Sequence, residues 1–398
     1  MRFHFTPCYN NAMRILARHL TPPKQSFFLF GPRGTGKSLW VKEQFKDALF
    51  LDFLSPEIHR AYSAYPERLR EALAADPRKK DIVIDEIQKV PEVLTVVHSL
   101  IEERRGLRFI MTGSSSRKIK RTGADLLGGR AASVSMHPFT ASELHGAFSL
   151  PQALQNGLLP LVVASADPKA TLNGYLALYI KEEVQAEALV RSIPAFSRFL
   201  EAASFSHASV LNVSGVAREC AAERKTVEGY LKILEDLLLS FQVGVFSKRA
   251  KRRLVEHSKF YFCDPGVFRS IRPKGPLDRP EIDGGALEGL VAQQLRAWTD
   301  YRGRENRLYY WRTQKGLEVD FVVYGEDGLY AIEVKNSARI HPEHLRALEA
   351  FKQDYPEARC SLLYRGTERL KRGNVLCLPC ADFLAGVTPE KGLDMDNL

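Results

Sequence analysis

Nowhere does the 398-residue chain contain a run of 18 apolar positions free of charge, which argues against a membrane-crossing helix. Residues Met1 to Asn10 hold neither the apolar stretch nor the small-residue cleavage site of a secretory signal, so a cytoplasmic protein without a membrane partner is expected. Cysteine is scarce. Six thiols, at Cys8, Cys220, Cys263, Cys360, Cys377 and Cys380, are scattered too irregularly for a disulfide framework and read as reduced side chains. Cys377 and Cys380 form one CxxC, but a zinc site needs two more ligands at matching spacing and only Cys360 is near, so buried thiols are expected there. Internal repeats and low-complexity tracts are absent too, so the organisation has to be read from changes in hydrophobic period.

What is present is a positive excess, 57 Lys and Arg against 47 Asp and Glu, a formal charge of +10 that favours an anionic partner. With 45% hydrophobic residues, a chain this long can bury two or three cores. Residues 11 to 20 read as a helix, and apolar runs at Phe27–Phe30, Phe50–Leu54, Asp81–Asp85, Arg108–Thr112 and Ala132–Met136 read as strands. Helical stretches at 38–49, 56–75 and 92–105 separate them, which predicts a parallel, covered sheet. A helix over about 171–191 follows, then three helices and two strands over about 194–265. Pro273, Gly275, Pro276, Pro280, Gly284 and Gly285 read as a linker. Beyond it the pattern predicts a helix (Ala286–Trp298), strands at Leu308–Arg312, Leu317–Tyr324 and Leu329–Val334, and a further helical stretch.

Gly31-Pro32-Arg33-Gly34-Thr35-Gly36-Lys37-Ser38 fits GxxxxGK[ST] and falls between an apolar strand and a helix start. Its glycines let backbone N–H groups face phosphates, Lys37 would neutralise the β- and γ-phosphates of ATP, and Ser38 would ligate Mg2+. Ile82-Val-Ile-Asp85-Glu86 supplies the matching acids, Asp85 for the Mg2+ shell and Glu86 to polarise the attacking water. Thr112 or Ser114, in the TGSSS turn, would sense the γ-phosphate or orient the water; a plain Ser/Thr-rich turn is the alternative. Arg130, after two glycines, would reach a phosphate of its own or a neighbouring subunit, or else form a surface ion pair.

Farther on, Val216, Ala217 and Cys220 share one helix face, and Val227, Leu231, Leu234 and Leu238 line the next. Arg224, Lys225 and Thr226, with Glu228, stand at the start of that second helix. Helix, turn, helix and two strands resembles a winged helix, whose wing would carry Lys248, Arg249, Lys251, Arg252 and Arg253. So many adjacent cations suggest phosphate contacts, although a solvated loop is the plain alternative. Arg117, Lys118, Lys120 and Arg121 form a second basic run.

In the last third, strand alternation predicts Glu318, Asp320 and Val322 on one face of their strand, and Glu333 and Lys335 on one face of the next, with Ile332 and Val334 opposite. Asp320, Glu333 and Lys335, with Glu288 from the preceding helix, would bind one or two metal ions, and the lysine would orient water. A salt-bridged sheet end is the alternative. The motif resembles the PD-(D/E)xK nuclease pattern, with Val319 where the proline of that pattern stands.

Together the P-loop, IVIDEIQ, TGSSS and GGR segments, followed by His137-Pro-Phe139 and Glu143-Leu, resemble the bacterial and archaeal AAA-superfamily ATPases that carry a C-terminal domain of unknown function. The resemblance implies a nucleotide-binding N-terminal half and a restriction-endonuclease-like C-terminal half. With the residue pattern, the expected α/β multidomain fold is a P-loop AAA-type parallel sheet (1–145), a helical lid (146–192), a winged helix (193–268) and a restriction-endonuclease-like domain (280–385). The resemblance also implies ATP and Mg2+ as cofactors; the basic charge and the winged-helix pattern add duplex or branched DNA as the expected partner, and self-association follows if Arg130 acts between subunits. Three functions remain open on these grounds: an ATPase coupled to a nuclease, an ATP-gated DNA-binding switch with an inactive nuclease fold, and an ATPase that binds protein instead.

Overall fold

The computed structural model describes residues 16–103, 106–115, 127–179, 184, 190, 192–248, 250–275 and 279–393. Cys8, Ser116, Arg249, the run Arg117, Lys118, Lys120 and Arg121, and part of the helix expected over 11–20 lie outside these residues.

Strands β1 (Phe27–Phe30), β2 (Leu49–Asp52), β3 (Asp81–Asp85), β4 (Arg108–Gly113) and β5 (Ala132–Ser135) form one parallel sheet in the order β2-β3-β4-β1-β5. Neighbouring parallel strands require crossovers, and the helices Lys37–Gln44, Pro56–Ala64, Arg68–Ala75 and Val93–Glu103 supply covering layers. The central strands are apolar throughout because both faces are buried. Phe28, Ile82, Ile84, Phe109 and Met111 enter one core, while Phe27, Leu29, Val83 and Ile110 enter another with Trp40 and Val41. The expected 56–75 helix is broken at Pro66, which cannot continue a helix it would enter from within.

A second sheet has nine strands: β6 (Ser209–Val210), β7 (Ser240–Val245), β8 (Lys259–Phe262), β9 (Asn306–Arg312), β10 (Glu318–Gly325), β11 (Gly328–Lys335), β12 (Arg359–Tyr364), β13 (Leu370–Arg372) and β14 (Val375–Pro379). Their order is β13-β14-β12-β11-β10-β9-β7-β8-β6. Helices Ile193–Ser204, Val213–Glu219 and Arg224–Asp236 precede the β7–β8 hairpin, in the expected sequence. The hairpin does not stand apart, however. Its β7 runs parallel to β9, pairing Gly244 with Tyr309 and Val245 with Tyr310, so it and the C-terminal strands share one sheet. The helical stretch expected after β11 is helix Arg346–Asp354, and strands β12 to β14 with helix Cys380–Gly386 follow it beyond the expected elements.

The Pro- and Gly-rich stretch expected to be a linker departs further from expectation. From Arg279 it is the start of a 23-residue helix, Arg279–Tyr301, hereafter the long helix. Its glycines serve contact rather than flexibility: a Cβ on Gly289 would lie 2.4 Å from His207 Nε2, so the helix packs against that ring only without a side chain there. Cys377 and Cys380 enter different cores on opposite sides of the sheet, and both are buried free thiols. Among the described residues no helix is long and apolar enough to cross a membrane.

Candidate functional site

The glycine-rich loop leaves β1 at Phe30 and enters helix Lys37–Gln44. Gly34 and Gly36 have φ of 82° and 86°, which a side chain resists, and a Cβ on Gly31 would meet Met136 O at 2.5 Å. Thr35 Oγ1 donates to Pro32 O (2.8 Å) and tightens the turn. The helix N-terminus has neither a side-chain cap nor an acid in its first turn, so its N–H groups lack that common partner. That arrangement suits an anion. Lys37 is buried and its ammonium donates to Gly31 O (2.7 Å) and Pro32 O (3.1 Å); Ser38 follows it, half-buried, in the first turn.

Because β4 lies between β1 and β3, its end projects between the loop and the acid pair. Thr112 Oγ1 donates to Asp85 Oδ1 and accepts from the Glu86 N–H (2.9 Å). Glu86 adopts a left-handed backbone (φ 58°), a conformation that costs a non-glycine residue about 1–3 kcal/mol and that turns its carboxylate away from the strand line. Gln88 Nε2 donates to Glu86 Oε2 (2.5 Å) and Ser114 Oγ (3.0 Å). Neutral donors therefore hold both acids, and the buried Gln88 was not foreseen although it stands two residues beyond the acid pair. The residues present fit Mg2+-nucleotide: an uncapped helix end and a buried lysine at the loop, with two oriented carboxylates across β4.

Arg130 is placed differently. Strands β1 and β5 are parallel, with Phe27 beside Ala132, so the P-loop leaves the far end of β1 while Arg130 precedes the near end of β5. The two ends are about 13 Å apart along the strands. Arg130 pairs with Glu102, and it does not reach the phosphate site of its own chain.

A polar chain runs from the loop to the C-terminal half. Arg18 donates to Thr35 O (2.9 Å), His137 O (2.6 Å) and Glu143 Oε1 (3.1 Å). The His137 N–H donates to Tyr301 Oη (2.9 Å), and its ring Nε2 is 2.6 Å from Asp300 Oδ2. Burial pulls the His137 pKa below the ordinary value although Asp300 opposes the shift. Gln294 Oε1 accepts from Ala141 N (2.7 Å), and Gln293 Nε2 donates to Pro138 O (3.2 Å). The C-terminal end of the long helix is thus bolted to the strand end that flanks the P-loop.

The same helix carries Glu288 into a second charged cluster. Opposite β9, β10 shifts register between Val319 and Val322, and this bulge breaks the expected alternation: Val319 and Val322 enter the core with Phe351, while Phe321 and Val323 enter the opposite one. Asp320 stands at the bulge. Its Oδ2 accepts from Val334 N (2.9 Å) and its Oδ1 from Lys259 Nζ (3.2 Å). Glu333 and Lys335 share a face as expected, Lys335 Nζ donating to Glu333 Oε1 (2.5 Å), and Glu333 Oε2 lies 3.4 Å from Asp320 N. Glu288 Oε1 accepts from Lys259 Nζ (2.9 Å) and Tyr261 Oη (2.7 Å). Burial, then repulsion from Asp320, pushes the Glu288 carboxyl up to about 7, and the same two causes push Glu333 well above the carboxylate range. Lys259 and Tyr261 were not foreseen, and the signal was a lone lysine within the apolar run Lys259-Phe-Tyr-Phe262.

The four expected residues are therefore brought together, but not as metal ligands. Glu288, Glu318 and Asp320 surround an ammonium, and Glu333 is matched by Lys335. No group of three or more His, Cys, Asp or Glu side chains among the described residues is arranged to hold a metal ion. As they stand, these residues do not fit one.

Arg224, Lys225 and Thr226 are exposed at the start of helix Arg224–Asp236, with Arg224 Nε donating to Glu228 (2.9 Å). The loop after β7 was expected to need an outside anion, yet part of its charge is compensated internally. Lys248 lies over the Tyr324 ring (4.4 Å), and Arg252 Nε donates to Asp354 Oδ2 (2.7 Å). Lys251 and Arg253 are exposed.

Residues 23–145 match the family model of an AAA domain, 147–278 that of a domain of unknown function (DUF8612) and 283–383 that of another (DUF4143). AAA domains are in general ATPases that bind ATP with Mg2+. An uncharacterized protein of Mycobacterium tuberculosis is 27% identical over 309 residues, 76% of this chain and 68% of its own length. One of Methanocaldococcus jannaschii is 24% identical over 370 residues, 83% of this chain and 80% of its own. A Vibrio cholerae crystal structure aligns over 90% of this chain and 95% of its own at 12% identity, but its TM-score of 0.22 carries no argument.

Proposed function

We propose that the chain is an ATP-hydrolysing switch that binds DNA through its C-terminal half, the long helix carrying nucleotide state between the two. In this reading the loop from Gly31 to Gly36, with Pro32, Arg33, Gly34 and Thr35, wraps the phosphates, and Lys37 neutralises them. Ser38 and Asp85 would hold Mg2+. Glu86 polarises water under the control of Gln88, while Thr112 and Ser114 respond to the γ-phosphate. Arg130 would serve only a neighbouring subunit, which makes a homo-oligomer part of the proposal. Arg224, Lys225, Thr226, Lys251 and Arg253 are the proposed phosphate contacts of a winged-helix-like unit.

The observation that carries the reading is the linkage Thr35–Arg18–His137–Tyr301, because a nucleotide that reshapes the loop acts directly on one end of a rigid 23-residue helix. ATP turnover measured with and without linear, branched and single-stranded DNA tests it. DNA should stimulate the wild type, and Tyr301→Phe should retain basal turnover while losing the stimulation. Turnover indifferent to DNA, together with no salt-dependent DNA binding, would leave an ATPase with a different partner. A metal-dependent nuclease is the second reading; it draws on the convergence of Asp320, Glu333, Lys335 and Glu288, and the misfit with a metal weighs against it.

A further inference from the structure

The Lys259 side chain is fully buried, yet it comes from the hairpin rather than from the elements that carry the acids. Its ammonium lies 2.5 Å from Glu318 Oε1, 2.9 Å from Glu288 Oε1 and 3.2 Å from Asp320 Oδ1. An ammonium has three N–H donors, and here each has one carboxylate oxygen. The rest of the cluster is also committed: Arg312 takes Glu318 Oε2 (2.9 Å), the Val334 N–H takes Asp320 Oδ2, and Tyr261 adds a donor to Glu288. A Mg2+ or Mn2+ shared by these acids needs oxygens at about 2.0–2.2 Å from its own centre, which is the position the nitrogen holds.

We propose that Lys259 is the built-in cation of this acidic centre: it stands where a divalent metal would have to sit among Glu288, Glu318 and Asp320, closes the centre to metal, and latches the β7–β8 hairpin to the long helix and β10. This inference rests on the cluster geometry and is independent of the DNA-binding reading. The latch has a mechanical reason. The β7–β9 ladder is short, pairing Gly244 with Tyr309 and Val245 with Tyr310. Beyond it the hairpin meets β9 and the turn after it through Phe246 N–H to Tyr310 O, Val255 N–H to Arg312 O and the Leu254–Thr313 bridge. None of these pairs β8 with the acids, and the buried ion cluster supplies that tie. Burial opposes the charge on Lys259, but Glu288, Tyr261, Asp320 and Glu318 together hold it well above the ordinary lysine range, so the ammonium persists. Unlike a bound ion it cannot leave, because the chain carries it. A metal entering the centre would have to strand a buried ammonium, at a cost of several kcal/mol.

Mn2+ binding to the full-length, nucleotide-free protein, counted by electron paramagnetic resonance, tests the proposal. Wild type and Asp320→Asn should bind the same number of ions. Lys259→Ala should gain one ion per chain, lost again in the Lys259→Ala/Asp320→Asn double variant. A wild-type ion that disappears in Asp320→Asn, or cleavage of supercoiled DNA that requires both Mn2+ and Asp320, would overturn it. So would a folded Lys259→Ala protein that gains no ion. Should Lys259→Ala not fold, the comparison of wild type with Asp320→Asn decides alone: equal counts support the proposal and unequal counts overturn it.

Discussion

Among the described residues, the acid pair near the P-loop with Lys37 and the acidic cluster at the hairpin junction with Lys259 and Lys335 are built in opposite ways. At the P-loop, Asp85 and Glu86 are oriented by Thr112, Ser114 and Gln88, which bear no charge, while Lys37 bonds to loop carbonyls. At the hairpin junction the charged Lys259, Lys335 and Arg312 hold the acids alongside the neutral Val334 N–H and Tyr261 hydroxyl. Neutral donors fix a carboxylate and leave its charge uncompensated, so the first centre is ready for an incoming cation. Ammonium and guanidinium donors fix it and cancel the charge together, so the second is finished without one. On the proposed reading, the charge of the groups that hold the acids, and not acid content alone, separates the catalytic centre from the structural one.

The largest expected effect breaks the open centre. Glu86→Gln should retain nucleotide binding and lose about 10²–10⁴-fold in ATP turnover, while Lys37→Ala should lose binding itself, as measured by steady-state hydrolysis and nucleotide titration. Turnover at the wild-type rate in Glu86→Gln would remove the distinction between the centres. Next comes the closed one. Lys259→Met leaves buried carboxyls without their counter-ion and should cost about 3–5 kcal/mol in chemical denaturation, whereas Lys335→Met, whose side chain is one-third exposed, should cost clearly less. Comparable losses would mean that burial of the lysine does not set the weight of the latch.

This contrast was only half legible in the sequence. The P-loop and its acids are contiguous motifs, so their strand-turn-helix setting followed from spacing, and the charged face of Glu333 and Lys335 followed from alternation. Lys259 comes from a strand 29 residues before Glu288 in the chain, and nothing local pairs them. The bulge at Asp320 adds one residue to a strand without any glycine to mark it, so Val322 was placed on the wrong face. The long helix was cut short because Pro280, Gly284 and Gly285 usually end helices; here Pro280 sits in the first turn, where its missing N–H costs nothing, and Gly285 and Gly289 face His207. Arg130 followed flexible glycines in sequence, but only strand direction tells which edge of the sheet it occupies.

A pH profile sharpens the comparison further. Glu288 titrates near 7 in the fold and at an ordinary carboxyl value, about 4.5, when unfolded, so the folded state holds this proton more tightly. Its contribution to stability is complete below about pH 4.5 and is lost as pH rises toward 7. Lys259 and Tyr261 from β8, and Glu318 and Asp320 from β10, surround it, and Glu333 changes stability in the same direction. The buried His207, pushed down to about 3, works in the opposite sense, so the informative quantity is the difference between wild type and Glu288→Gln. That difference should fall between pH 5 and 7 by at most about 1.4 kcal/mol per pH unit, and a flat difference would mean that the proton on Glu288 is not held by the fold.

The smallest effect carries the distinction between open and closed charge to the surface. Lys248, Lys251, Arg252 and Arg253, after β7, are all exposed, but Lys248 lies over the Tyr324 ring and Arg252 pairs with Asp354, so two of the four are already matched within the protein. A cation already matched within the protein has little to gain from a phosphate, because it exchanges one partner for another. A cation without an internal partner gives up nothing when it binds and releases a counter-ion from the nucleic acid. Lys251→Ala with Arg253→Ala should therefore lower the slope of log affinity for DNA against log salt by about 2 and leave stability nearly unchanged. Arg252→Ala should barely alter that slope but cost about 1 kcal/mol of folding stability, since it exposes Asp354 without its partner. Equal slope changes in the two variants would show that internal pairing does not withdraw a cation from phosphate contact, and an unchanged slope in both would make this loop a solvated surface with no part in binding DNA.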